Sequence, residues 1–274
     1  MTRGYVIPIG GAEEKVRDAK ILERFVRLCG GREGRIVVIP TASRLDDTGQ
    51  RYEDIFEKLG ARNVTSLEIT ERSECSDPKN LEAMERANGV FMTGGNQLRL
   101  STTLGGTPLS DLMRERNLND GLHVAGTSAG ASIMSEHMIA YGDEGPTPSS
   151  DKVTLAPGMG LMPWAVVDQH FRQRDRLGRL LSALAYNPRL VGLGLDEDTA
   201  AVYGPDGILR VAGSGSITIV DASEVDFTSM DSADRYSPVT VIGVRMHVLT
   251  EDATYDTDTR IARPPSRLLT NVKP

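Results

Sequence analysis

Gly126-Thr127-Ser128-Ala129-Gly130 surrounds a serine with small residues, between an apolar run and a helix-forming stretch in "GLHVAGTSAGASIM" (121–134). A G-x-S-x-G pattern in a strand–turn–helix setting presents its serine for nucleophilic attack. The reason is geometric: the turn holds the serine in an unfavourable backbone region, where a neighbouring Cβ would clash. The turn also lifts the hydroxyl above the sheet. It sets the Ala129 amide at a helix start, where that amide can stabilise an oxyanion. The same five residues also suit a plain strand-to-helix corner whose glycines only let the backbone pass. Both readings remain open on these residues alone.

A nucleophilic serine needs a base, and the chain has four histidines. His123 lies within the apolar run before the serine, His137 is expected at the end of the following helix, and His247 falls in a late strand. His170 differs, because "WAVVDQHF" puts it at the carboxyl end of an apolar run, just before a helical segment. Ligands of open α/β sheets gather outside such strand ends, so His170 is the candidate base, with a capping or surface histidine as the plainer alternative. The third group should be a carboxylate that orients the imidazole. "LVGLGLDEDTA" ends another apolar run with Asp196, Glu197 and Asp198, and spacing does not choose among them. A solvated acidic turn would look the same.

Four arginines follow the candidate base in "FRQRDRLGRL": Arg172, Arg174, Arg176 and Arg179. On one continuous helix Arg172, Arg176 and Arg179 share a face and Arg174 projects elsewhere. Guanidinium groups beside a base suit carboxylate recognition; a solvated basic helix face is the alternative. In "MTGGNQLRL" (92–100), Gly94 and Gly95 follow a strand and offer a second oxyanion donor. Asn96 and Gln97 could then meet substrate amides or carboxylates, although Asn96 would equally cap a helix. There is no H-E-x-x-H, Cys/His cluster, full dinucleotide fingerprint or Walker A sequence, so neither metal nor cofactor is expected.

The elements that must position these residues follow from hydropathy. The chain's 274 residues, 39% of them hydrophobic, suffice for one large α/β domain. "YVIPIG", "RIVVIP", "NVTSLEI" (63–69), "GVFMTGGN" and "GLHVAG" are short apolar runs separated by helix-length segments, one of them around 47–59. Such runs predict a mostly parallel sheet flanked by helices. After about residue 196 strands follow one another through turns such as "GPDG" (204–207), which predicts additional antiparallel strands toward the C-terminus. The Gly/Pro/Ser-rich stretch 142–160 is expected to be a long loop, and the last twenty or so residues to fray. A formal net charge of −7 argues against a nucleic-acid partner. No apolar run reaches membrane-spanning length, the N-terminal run is short for a secretory leader, and the two cysteines suggest free thiols; a cytoplasmic location is expected.

In this order, "FMTGGNQ", "GTSAGA", "DQHF" with its trailing arginines, and "GLGLDEDTA" closely resemble the cyanophycinase family of serine peptidases. The resemblance spans nearly the whole chain and implies a single domain over 1–274 with a class I glutamine-amidotransferase-like fold. It implies that Ser128 is the nucleophile, His170 the general base and Glu197 the orienting residue. The oxyanion would lie between the amides of Gly95, or Gly94, and Ala129. Gln97, Asp168, Gln169, Arg174, Arg176 and Arg179 match positions lining the family's substrate pocket; Arg172 is not carried over. The implied substrate is cyanophycin, a poly-aspartate backbone with arginine on each side chain, cleaved to β-Asp-Arg dipeptides from chain ends by a cofactor-free homodimer. Asp168 would receive a substrate guanidinium. The neighbouring α-aspartyl dipeptidases share the elbow without needing the arginine run, and a non-catalytic module of the same fold would keep the elbow for structure alone.

Overall fold

Runs without a charge become strands buried on both faces, and amphipathic runs become the helices that cover them. The computed structural model describes residues 2–269. Its first half alternates β1 (Val6–Ile9), α1 (Lys20–Leu28), β2 (Arg35–Ile39), α2 (Thr48–Lys58), β3 (Asn63–Ser66), α3 (Pro78–Arg86), β4 (Gly89–Met92), α4 (Gln97–Leu104), α5 (Pro108–Asn119) and β5 (His123–Thr127). Then come α6 (Ala129–Ser132), β6 (His137–Gly142), β7 (Val153–Pro157), β8 (Ala165–Asp168), α7 (Leu177–Tyr186) and β9 (Val191–Leu195). The remainder comprises β10 (Thr199–Tyr203), β11 (Ile208–Gly213), β12 (Ile217–Asp221), β13 (Phe227–Thr228), β14 (Val241–Ile242), β15 (Arg245–Leu249), β16 (Thr254–Asp256), β17 (Ile261–Arg263) and α8 (Ser266–Leu269).

Nine strands form one sheet in the order β17-β16-β11-β10-β1-β5-β4-β2-β3. From β1 to β3 every pairing is parallel, whereas β1–β10, β10–β11, β11–β16 and β16–β17 are antiparallel. The expectation of a mostly parallel sheet is therefore corrected: the fold is a mixed α/β fold, and antiparallel pairs make up half of its main sheet. Connection length accounts for two of these pairs: a parallel return needs a crossover of a dozen residues or more, and the turns between β10 and β11 and between β16 and β17 are too short for anything but reversal.

A second sheet, β15-β12-β9-β8, holds β8 and β9 parallel, with α7 as their crossover. Ser128 follows a strand of the main sheet, while His170 and Glu197 follow strands of this second one. Three consecutive carbonyls at the end of β1 close the gap. Ile9 accepts from the Ser128 N–H at 3.0 Å, Gly10 from His170 at 2.8 Å and Gly11 from Asp198 at 2.9 Å.

Several local expectations change in the structure. The helix after Ser128 is one short turn, so His137 begins β6 instead of ending a helix. The stretch 142–160 is not all loop, because its second half contains β7, paired with β6 as an antiparallel hairpin. "NVTSLEI" is a strand only over Asn63–Ser66. Residues 254–269 form β16, β17 and α8; the rest of the tail expected to fray lies outside the described residues. Cys29 and Cys75 are both free and buried.

The main sheet packs a different side-chain chemistry on each face. Val6, Val37, Val90, Met92 and Val124 point to a Met- and Leu-rich layer under α3 to α6. Ile7, Ile36, Val38, Phe91 and Ala125 point to an aromatic layer under α1 and α2, the period-2 alternation of strands covered on both sides. Phe56 is fully buried at its centre, with Phe91 edge-on at 5.2 Å and Phe25 at 5.7 Å between ring centroids. Phe56→Ala removes the hub of this layer and is expected to lower unfolding free energy by about 3–5 kcal/mol, read from urea denaturation midpoints.

Candidate active site

The elbow is built by close approach. Ser128 sits between β5 and α6 with φ 52° and ψ −108°, a region that costs a non-glycine residue about 1–3 kcal/mol. Its N–H is held by Ile9, and its carbonyl accepts from the Ala131 and Ser132 amides at 3.0 and 3.1 Å. A Cβ on Gly130 would lie 2.2 Å from the Met92 carbonyl oxygen, so only glycine lets α6 pass this close to β4.

Ser128, His170 and Glu197 form an unbroken hydrogen-bonded chain. The Ser128 Oγ lies 3.0 Å from His170 Nε2, and His170 Nδ1 lies 2.7 Å from Glu197 Oε1. A carboxylate only accepts, so Nδ1 carries the proton and Nε2 is left to accept from the serine. The imidazole lies directly over Gly11, where a Cβ would come within 2.3 Å of the ring. Burial pushes the His170 pKa below its usual 6.5, the Glu197 hydrogen bond opposes this, and the charges of Arg174 and Arg176 reinforce it. The ring is therefore neutral, and able to accept a proton, at neutral pH.

Structure separates the three acids that spacing left equivalent. Asp196 accepts from the Arg172 N–H at 3.1 Å and the Ser216 hydroxyl at 2.8 Å; Asp198 accepts from the Glu14 N–H at 2.9 Å and the Ser214 hydroxyl at 2.6 Å. Only Glu197 reaches the imidazole. The other histidines lie elsewhere: His123 Nδ1 accepts from the Tyr5 N–H at 3.0 Å, and His137 and His247 sit on β6 and β15.

For the oxyanion, Ala129 is the first residue of α6, so its N–H has no intrahelical acceptor. Gly94 faces Ser128, since a Cβ there would stand 3.4 Å from that of the serine. Gly95, at φ 145°, is pressed against the Ala42 carbonyl.

The arginine run does not present one helical face. A 3-10 turn at Arg172–Arg174 ends at Asp175, whose positive φ breaks the segment before α7 begins. Arg172 and Arg174 therefore lie exposed, while Arg176 and Arg179 turn inward and are buried. Asp168 is fully buried and bound by Arg179 through Nε at 2.7 Å and a second, shorter bond from Nη2, with Arg176 at 3.6 Å. Its carboxylate is thus occupied by an internal guanidinium, at the place where a substrate guanidinium was expected. Arg176 also donates to the Gln169 carbonyl at 2.6 Å. Gln97 donates to the carbonyls of Ile139 and Ala140, at 3.2 and 2.8 Å, tying the start of α4 to β6.

The family model for peptidase family S51 matches residues 6–210. The chain belongs to peptidase family S51. Curated relatives named cyanophycinase, from Trichormus variabilis and a Nostoc species, are each 45% identical over 249 residues, which is 90% of this chain and 84% of theirs. The Synechococcus elongatus cyanophycinase is 42% identical over 255 residues, 93% of this chain and 79% of that protein. Among solved structures, a peptidase from an acI-B1 actinobacterium superposes with a TM-score of 0.68 at 21% identity, covering 93% of this chain and 97% of that one. A Listeria monocytogenes protein described as a putative peptidase E gives a TM-score of 0.54 at 16% identity, over 77% of this chain and 99% of that one; both likenesses concern the fold.

Two residues of this S51 site escaped sequence reasoning. Gln173 sits within the arginine run, and its Oε1 accepts from the Glu197 N–H at 3.2 Å. Glu13, in "IGGAEEK", lines a cleft of about 260 Å³ that opens at Ser128 beside Lys15, Ser43, Tyr52 and Gly94. The only signal in the sequence is its position shortly after a strand end. Among the described residues, no helix is long and apolar enough to cross a membrane.

The electrostatics of His170 can be checked directly. Its ring resonances are expected to titrate with a midpoint below 6.5, because the folded environment disfavours the cation. Arg174→Met removes one opposing charge and should raise that midpoint in an NMR pH titration; an unchanged or lower midpoint contradicts the assigned field.

Proposed function

We propose that Ser128 is the nucleophile, His170 the general base and Glu197 the residue that orients it. The observation carrying this reading is the continuous chain from Ser128 Oγ through the imidazole to Glu197, at 3.0 and 2.7 Å. The protein is a serine-type peptidase of the cyanophycinase type and hydrolyses backbone bonds of cyanophycin. In the proposed reaction, Ser128 Oγ attacks the backbone carbonyl as its proton passes to His170 Nε2, and the carbonyl electron pair moves onto oxygen. The Ala129 amide and an amide of the Gly94-Gly95 pair stabilise that oxyanion, with Gly94 nearer the nucleophile. Collapse returns the proton to the departing amine. Water, deprotonated by His170, then releases the acyl group and restores the serine.

The substrate side is formed by Gln169, Arg174 and Arg176, with Gln97, Asp168 and Arg179 beneath or beside them. Arginines beside the base suit carboxylates of the polymer, and the Asp168–Arg179 pair fixes the buried part of the cluster. We read the products as β-Asp-Arg dipeptides released from chain ends, by a single-domain cytoplasmic enzyme acting as a homodimer. The elbow at the carboxyl end of β5, in the parallel half of the sheet, supports an arrangement like that of class I glutamine amidotransferases.

Incubation with purified cyanophycin followed by mass analysis tests the product assignment: β-Asp-Arg is expected, and cleavage confined to Asp-initiated dipeptides would reassign the enzyme to the aspartyl dipeptidases. Ser128→Ala should lose on the order of 10⁴-fold or more in kcat while keeping the wild-type unfolding transition; a fully active variant ends the proposal. Arg176→Lys keeps the charge but loses the planar fork, so KM for the polymer should rise roughly tenfold. Unchanged kinetics in that variant would remove Arg176 from substrate recognition.

A further inference from the structure

The loop after β1 contains a buried carboxylate that the reaction above does not use. Glu13 is 3% exposed, and its two oxygens are fully engaged. Oε1 accepts from the Tyr52 hydroxyl at 2.7 Å and the Lys15 ammonium at 3.0 Å, and Oε2 accepts from the Thr127 hydroxyl in a short hydrogen bond. Lys15 also donates to the Glu13 carbonyl at 2.9 Å. Tyr52 is itself fixed, stacked against Phe91 of β4 with ring centroids 4.8 Å apart.

The location matters more than the number of bonds. Thr127 is the last residue of β5 and the residue immediately before Ser128, whose strained conformation must be imposed from both sides. On the amide side the Ile9 carbonyl holds the Ser128 N–H. On that same side, one residue earlier, the Thr127 hydroxyl bonded to Glu13 is a second tie, and past Ser128 its carbonyl is held by the Ala131 and Ser132 amides. A buried carboxylate is retained only where partners offset its desolvation, and Lys15 and Tyr52 do so here without drawing on Ser128 or His170. A direct proton-transfer role does not fit, because Glu13 bonds to neither reacting group and His170 already has Glu197.

We infer that Glu13 is a positioning residue that acts through Thr127 to hold the Ser128 elbow in its reactive conformation. This rests on the reading of Ser128 as nucleophile. The carboxylate braces three segments against one another: the loop after β1, α2 through Tyr52, and the end of β5 through Thr127. Loss of the brace lets the Thr127–Ser128 peptide relax and moves Oγ away from His170, a displacement that affects bond formation and leaves substrate binding largely intact. Sub-ångström to ångström misplacements of reacting groups can cost up to about 10²-fold in rate.

The test follows covalent labelling of Ser128 by a fluorophosphonate, alongside kcat and KM on cyanophycin. Glu13→Ala is expected to slow labelling and lower kcat at least about tenfold with KM little changed. Glu13→Gln should retain most of the rate, since its amide can still accept from Tyr52 and donate to the Thr127 oxygen. The deciding measurement is a double-mutant cycle with Thr127→Val, which removes the hydroxyl at nearly constant shape. In the Thr127→Val background, Glu13→Ala should add little. Independent, multiplying effects of the two substitutions would sink the inference, as would wild-type labelling in Glu13→Ala or in Thr127→Val. Should Glu13→Ala not fold, Thr127→Val and Glu13→Gln carry the test: the first must slow labelling and the second must largely spare it. A wild-type protein that is not labelled at Ser128 overturns the nucleophile assignment together with this inference. Normal wild-type labelling with an indifferent Glu13→Ala overturns the inference alone.

Discussion

Everything at the site depends on three successive main-chain carbonyls at the end of β1. Ile9, Gly10 and Gly11 accept hydrogen bonds from Ser128, His170 and Asp198, so one short backbone segment gathers the turns of three different strands. Two of those strands belong to a sheet other than that of β5. Side-chain contacts alone would leave that junction adjustable, because long side chains hop between rotamers. Backbone bonds to consecutive residues leave little slack, and they explain why the loop reads Gly-Gly: a Cβ on Gly10 would strike the Asp196 carbonyl, and one on Gly11 the His170 ring.

The charges follow the same division between rigid support and open face. Asp168 and Arg179 neutralise each other in the interior, and Arg176 is pinned to the Gln169 carbonyl. Arg172 pairs outward with Asp196, one residue before Glu197, while the Gln173 side chain holds the Glu197 amide. The run "RQRDRLGR" therefore splits by depth. Among its outer members Arg172 holds Asp196 and Gln173 the Glu197 amide, and its inner members Arg176 and Arg179 gather around Asp168. A continuous helix could not do both, and the break at Asp175 is what permits it.

Much of this was legible in the sequence because local rules sufficed. The elbow motif, the apolar runs and the carboxyl-end positions of His170 and Glu197 depend on periodicity and turn chemistry. The proportion of antiparallel pairing in the main sheet was harder, since apolar runs look alike whichever direction their neighbours take. The short connections carried that information for β10–β11 and β16–β17, and nothing local carried it for β1–β10 or β11–β16. The choice among Asp196, Glu197 and Asp198 was not legible from spacing and came only with the family resemblance, because a shift of one residue around a tight turn redirects the side chain entirely. Glu13 escaped for a related reason. Its partners Tyr52 and Thr127 lie 39 and 114 residues away, and a carboxylate in a polar loop gives no sign that the fold will bury it.

Strain ties these points together. Ser128, His170 and Asp198 all have positive φ, at 52°, 47° and 49°, although none is glycine. Each would relax in isolation, and each is the residue whose amide is held by the end of β1. Non-glycine residues persist in this region only where surrounding structure over-determines them. Here a single strand end does so three times, at Ser128, at His170 and beside Glu197. Relaxing one of them would mean giving up a backbone hydrogen bond in a buried loop, so the backbone strain and the alignment of the three side chains rest on the same bonds. The alignment is thus set first by the fold's main chain, and the Thr127–Glu13 contact acts on the one peptide of that main chain next to the serine.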